Sequence, residues 1–203
     1  MIQITRKERD RQLRRTDILR AAEHQFARKG YERATIQDIA RQAQYGTGTV
    51  YLYFKDKESV YLSLIEEKIA AMIAIIKEKT APIADARVKL EVLVNESLGY
   101  FDRNQDFFRI FASERSRLQW TIGTHSRKPA CMDHLPFVTE IVRLGQQQKF
   151  LRDDYAALQV AEVLVSMISS VVFDCLRQKP GAASLGEMSE FVPDMLLEGA
   201  RKR

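Results

Sequence analysis

Between Thr35 and Lys57 the chain reads TIQDIARQAQYGTGTVYLYFKDK, a run of hydroxyls, phenols and one ammonium at close spacing. Thr35, Tyr51, Tyr53 and Lys57 are donors suited to phosphate oxygens, contacts that position a partner without reading its sequence. Gly48 lets a backbone approach closely. Thr49 offers a hydroxyl or a methyl to a base edge, and Leu52 is the apolar residue suited to a thymine methyl. No Arg, Asn or Gln stands between Thr47 and Tyr53, so bidentate base reading is missing. Selectivity would lean instead on DNA shape and on the spacing of two half-sites, about 34–36 Å.

These groups require two short helices and a tight turn. Thr35 starts the first, with Asp38 three residues on as in a capping box. Ile36, Ile39, Ala40 and Ala43 share one face. Gln44-Tyr45-Gly46 interrupts the pattern, and Gly46 is the residue expected to take a positive φ. Thr47 is expected to cap the second helix, whose Val50 and Phe54 point inward. Gly48, Thr49 and Leu52 then point outward, flanked by Tyr51 and Tyr53. Such a helix-turn-helix presents its second helix to a major groove.

Charge supports a polyanionic partner. Of 203 residues, those up to 58 carry 13 Lys+Arg against 8 Asp+Glu, and those from 59 onward carry 19 of each. The whole excess of +5 thus belongs to the segment holding the helix-turn-helix, as salt-sensitive nucleic-acid binding requires. A hydrophobic content of 45% supports a folded core. No run of about 18 uncharged apolar residues is present, so no membrane span is expected, and the polar N-terminus lacks a secretory h-region. Cys131 and Cys175 form no disulfide framework, which points to a reducing, cytoplasmic setting. Cys131-x-x-His134 lacks partner ligands for a metal. No catalytic, phosphate-loop or cofactor motif is found, so no catalytic residue and no cofactor is assigned.

Taken in order, the chain reads as all-α, with about nine helices. Residues 1 to about 13 read as a frayed basic terminus; Arg6, Lys7, Arg9, Arg11, Arg14 and Arg15 are suited to tracking phosphates as an arm or as the start of the first helix, with Arg6 and Lys7 read instead as part of the loose end. A first helix from about Arg15 carries Ile18, Leu19, Ala22 and Phe26 and ends at Gly30. Leu19, Ala22 and Phe26 form one small core with Ile36, Ile39, Ala40, Val50 and Phe54. Asp56 caps a helix over 57–79, which begins in the basic module and ends in the neutral body, a lever between them. Helices follow over 84–101, 105–119 and 135–148, with a loop at 120–132. The last two, over 154–178 and 184–201, are apolar on more faces than one neighbour covers, which suggests a four-helix homodimer interface. The domains divide as 1–58, DNA-binding, and 59–203, helical. In the second, Phe101, Phe108, Phe111, Arg115, Trp120, His134, Phe137 and Met167 are candidates for lining an effector cavity, Arg115 or His134 anchoring an acidic group.

The segments ILRAAEHQFARKGYERAT and ATIQDIARQAQYGTGTVYLYFKDKESVY closely resemble the N-terminal domain of the TetR/AcrR family of bacterial transcription regulators. The rest resembles it in helix number and length and in VRLGQQQKFLRDDYAALQVAEVL. The resemblance implies a homodimer with a helix-turn-helix domain and a larger effector-binding and dimerisation domain. It implies a double-stranded DNA operator, most simply a (pseudo)palindrome under repression, and release by a small-molecule effector. By position it places DNA contacts at Thr35, Thr47, Gly48, Thr49, Tyr51, Tyr53 and Lys57. The sequence departs from the family's Gly-Val-Ser-like turn at Gln44-Tyr45-Gly46, and at Lys149, where relatives often carry Gly. An effector-independent DNA-binding protein is the main alternative, and a helical enzyme a more distant one.

Overall fold

The computed structural model describes residues 5–104, 108, 134–177 and 194–195. Every regular element among them is a helix: α1 (Arg6–Arg33), α2 (Ile36–Gln42), α3 (Thr47–Tyr53), α4 (Lys57–Thr80), α5 (Ala86–Arg103), α6 (Leu135–Gln147) and α7 (Ala157–Arg177). The chain divides into two compact units, Met1–Lys68 and Ile69–Arg203. The expected helix over 105–119, loop over 120–132 and final helix over 184–201 lie outside the described residues, save Phe108 and the helical pair Asp194 and Met195.

Helix α1 begins earlier than its apolar stripe. The Glu8 amide donates to the Thr5 hydroxyl at 3.3 Å, and the Thr5 amide donates to the Glu8 carboxylate at 2.9 Å. This capping box satisfies amides that would otherwise fray, so the expected frayed terminus is corrected to a helix from Arg6. At the other end Gly30 adopts φ +75°, and the Ala34 amide returns to its carbonyl. The eight residues predicted for the first core are all buried, joined by Ile18, Ala21 and Ala34. Fully burying each such Leu, Ile or Phe is worth about 1.5–3 kcal/mol, and helices α2 and α3, of seven residues each, depend on that packing for existence. The unit runs beyond residue 58 because Val60, Tyr61, Leu64 and Ile65 of α4 are buried. Ion pairs Arg15–Glu67 (3.2 Å) and Lys68–Glu23 (2.7 Å) tie the same stretch to α1.

In the second unit α5, α6 and α7 pack on one another. Leu90, Leu93, Val94 and Leu98 of α5 are buried, as are Val138, Ile141 and Val142 of α6 and Ala161, Leu164, Ile168 and Val172 of α7. Their spacing of three and four is the stripe of an amphipathic helix. Gly145 of α6 admits Leu151: a β-carbon there would lie 2.9 Å from the Leu151 side chain. The Gln148 amide group fixes the entry to α5, accepting from the Ala86 amide and donating to the Ala84 carbonyl, both at 2.8 Å.

Candidate nucleic-acid interface

The start of α2 is held by a closed set of bonds. The Asp38 amide donates to the Thr35 hydroxyl at 3.1 Å, while the Thr35 hydroxyl and amide donate to the Asp38 carboxylate at 2.8 and 3.2 Å. Lys29 reaches the other carboxylate oxygen at 2.8 Å. The Lys29 ammonium first, and then the Thr35 hydroxyl, hold the Asp38 carboxyl down at about 2. Thr35 therefore stands at the exposed helix start, as expected, with its hydroxyl proton already engaged by Asp38.

The turn differs from expectation in its glycine. Gln44, not Gly46, carries the positive φ, at 60°. Helix α2 ends in a Schellman arrangement, in which the Tyr45 amide donates to Ala40 O at 2.9 Å and the Gln44 amide to Arg41 O at 3.2 Å. That pattern puts the left-handed residue immediately after the cap, Ala43. Gly46 has φ −70° and ψ 151° and is itself the N-cap of α3. Thr47 falls in the first turn, so the expected Thr47 cap is corrected too: the Gly46 carbonyl accepts from Thr49 N at 2.9 Å, with no side-chain cap. Tyr45 donates its hydroxyl to Asp17 at 3.0 Å, anchoring the turn to α1. That bond, then burial, raises the phenol above its ordinary value, and Arg14 nearby opposes the rise.

Helix α3 is oriented as its pattern requires. Val50 is wholly buried and Phe54 nearly so. Leu52 is 78% exposed and Tyr51 55%. Thr47 and Gly48 are exposed, and Thr49 and Tyr53 half-buried. A β-carbon added at Gly48 would meet no atom within 4 Å, so nothing inside the protein requires glycine there.

Lys57 lies apart in its bonding. Its ammonium donates to the carbonyls of Tyr31 (2.8 Å), Glu32 (3.1 Å) and Ala34 (3.1 Å) and sits 4.4 Å from the Tyr31 ring centroid. Tyr31 in turn packs with Phe26 and Tyr61 at centroid separations of 5.6 and 4.9 Å. All three ammonium hydrogens are directed at the carbonyls that close α1. In this structure Lys57 joins the start of α4 to the α1–α2 connection. The signal for this was present in Tyr31 and Tyr61, aromatic residues bracketing the motif, yet spacing alone does not reveal that they meet.

The effector candidates separate. Phe108 is buried, with its ring 4.0 Å from Phe101 and 6.3 Å from Tyr100. Phe137 is half-buried beneath the Lys77 ammonium at 5.4 Å. His134 is half-buried at the start of α6. Met167 is 41% exposed on α7, on the flank of its buried stripe beside Leu164. Phe111, Arg115 and Trp120 lie outside the described residues. Among the described residues no group of three metal-ligating side chains occurs, and no helix is long and apolar enough to cross a membrane.

Residues 18–64 match the family described as bacterial regulatory proteins, tetR family. The fatty acid metabolism regulator protein of Bacillus subtilis is 37% identical over 79 residues, which span 39% of this chain and 41% of that protein. The HTH-type transcriptional repressor NicS of Pseudomonas putida is 26% identical over 93% of this chain and 92% of its own length. Among solved structures, the transcriptional regulator FadR of Bacillus subtilis in complex with stearoyl-CoA superposes with a TM-score of 0.77, at 22% identity, covering 92% of this chain and 99% of that one.

Proposed function

We propose that this chain, whose residues 18–64 match the tetR family of bacterial regulatory proteins, is a transcriptional repressor that binds a two-fold operator as a homodimer and lets go when a small molecule binds its helical body. The observation carrying the DNA-binding part is α3 itself. A seven-residue helix buries Val50 and aims Gly48, Thr49, Tyr51 and Leu52 outward from a unit braced at the turn by Tyr45–Asp17. Gly48, Tyr51 and Leu52 are exposed and Thr49 is half-buried, and their side chains suit a groove. Thr35, Thr47 and Tyr53 border them, and Lys57 holds the α1–α2 connection through the Tyr31, Glu32 and Ala34 carbonyls.

Repression and effector control are supported by the relatives. NicS carries the name repressor, and the Bacillus subtilis FadR structure holds stearoyl-CoA. Phe101 and Phe108, meeting edge to face in the second unit, are the candidates for an apolar wall there. Dimerisation is supported by the exposed apolar side chains of α7, and a DNA operator as target would put the protein in the cytoplasm.

The test is selection of genomic fragments by the purified protein at two salt concentrations, followed by sequencing. Recovery of one palindromic sequence, with binding that weakens steeply with salt, supports the proposal. Equal, weak retention of all fragments overturns it. For the effector part, stearoyl-CoA and shorter acyl-CoA thioesters are added to the protein–operator complex. A ligand that raises the melting temperature and releases DNA identifies the class.

A further inference from the structure

The positive charge is not where the reading helix is. From Thr35 to Tyr53 the chain holds one Arg and one Asp, and α3 has no charged residue at all. Residues 6–15, RKERDRQLRR, hold six basic and two acidic side chains. Most of the excess that favours a polyanion therefore stands on the first turns of α1, which the Thr5–Glu8 capping box holds as ordered helix. Neutral side chains on α3 cannot release the counterions that dominate DNA affinity.

Resting on the repressor reading above, we propose that the first three turns of α1 are a preformed phosphate-tracking extension, in which Lys7, Arg11 and Arg14 grip the DNA backbone beside the site read by α3. The three stand at i, i+4 and i+7, hence on one face. All three are exposed, and no ion pair among the described residues engages them. Their stripe continues into Ile18, which is fully buried in the helix-turn-helix core, so it lies on the side of α1 that faces α2 and α3. Asp17, one residue from that stripe, receives the Tyr45 hydroxyl of the turn. Arg15 places its guanidinium 5.6 Å from the ring of Phe54, which closes α3. The stripe thus starts alongside the reading elements and runs away from them along α1. From Arg14 back to Lys7 the helix extends about 10 Å at 1.5 Å per residue, the reach of two or three further phosphates. Like charges at this spacing repel one another, and Glu8 and Asp10 are the two acidic side chains set among them. Leu13 is the sole apolar side chain between Arg6 and Arg15, which leaves nothing to seat this helix in a lipid interface.

The experiment compares the wild-type protein with Lys7→Gln/Arg11→Gln/Arg14→Gln on the operator fragment selected by the wild type, with affinity measured across salt concentrations. A control, Arg9→Gln/Arg20→Gln, removes exposed charge from the opposite side of α1. The expected result for the triple variant is an unchanged melting temperature. The slope of log affinity against log salt should become shallower by about 5 for a dimer, at roughly 0.9 per lost phosphate contact. The control should change the slope little. A triple variant with the wild-type slope, or a control that loses as much per charge removed, overturns the inference while leaving the repressor reading intact. A wild-type protein that binds no DNA at any salt overturns both.

Discussion

Gly48 separates folding from binding at a single atom. A β-carbon there enters open space on a helix, and alanine is better than glycine in a helix by about 0.8–1 kcal/mol. Gly48→Ala should therefore raise the melting temperature by about 2–4 °C while weakening operator binding at least tenfold, read by calorimetry and by DNA titration. Lower stability in the variant would show that glycine serves the fold. Leu52 makes a sequence-dependent claim. Leu52→Ala should weaken an A·T-containing operator by about 1–3 kcal/mol, the worth of one base-specific contact, and leave binding to random DNA unchanged; equal loss on both would refute the thymine contact. Asp38 sets an acid limit. Its carboxyl, held at about 2 against an ordinary 3.8, contributes stability that is complete above about pH 4 and is lost as pH falls toward 2. Asp38→Asn should abolish that part of the acid limb in a pH series of thermal melts. The Thr35–Asp38 box was legible from spacing alone. The Lys29 contact that lowers the carboxyl further was not, because Lys29 belongs to a different helix.

Element ends were the least legible part of the chain, for a physical reason seen twice. Helices α2 and α6 both close in a Schellman arrangement: Tyr45 to Ala40 and Gln44 to Arg41 in one, Phe150 to Gly145 and Lys149 to Gln146 in the other. Each puts a non-glycine residue at φ 60°, Gln44 and Lys149. Glycine is the usual residue in that conformation, so a reader of composition places the turn at the nearest glycine, Gly46, two residues late. Helix interiors were legible because apolar residues recur at three and four, and α6 was placed within a residue at each end. Replacement of Gln44 or Lys149 by glycine removes a left-handed penalty of about 1–2 kcal/mol and adds chain entropy worth about 0.5–1 kcal/mol. Each variant should gain roughly 0.5–1 kcal/mol, measured by denaturant unfolding. A loss in either would mean that the side chain there makes contacts worth more than the strain.

At the scale of the molecule, one copy of α3 is too little. Seven residues with no charged side chain supply little of the buried, positively charged surface of a specific site, and two-fold pairing on a palindrome doubles it. The face suited to that pairing is on α7. Ala161, Leu164, Ile168 and Val172 bury one side of this helix. Away from that stripe Val163 is 57% and Met167 41% exposed, with Ser170 and Asp174 continuing the line. Met167, expected from the sequence to line a cavity, would belong to the interface if α7 pairs as proposed. Apolar side chains stacked four residues apart on an otherwise well-packed helix suit an isologous contact, in which each meets its counterpart across the dyad. Val163→Glu/Met167→Glu would set four carboxylates against one another there. Sedimentation should show a monomer at concentrations where the wild type is a dimer, with helical content retained by circular dichroism. Operator affinity should fall by at least a hundredfold, and the salt slope should drop to about half as one protomer's phosphate contacts are lost. A variant that sediments as a dimer would place the interface elsewhere. A monomeric variant with undiminished affinity would show instead that one α3, with its basic α1, reads DNA without a partner.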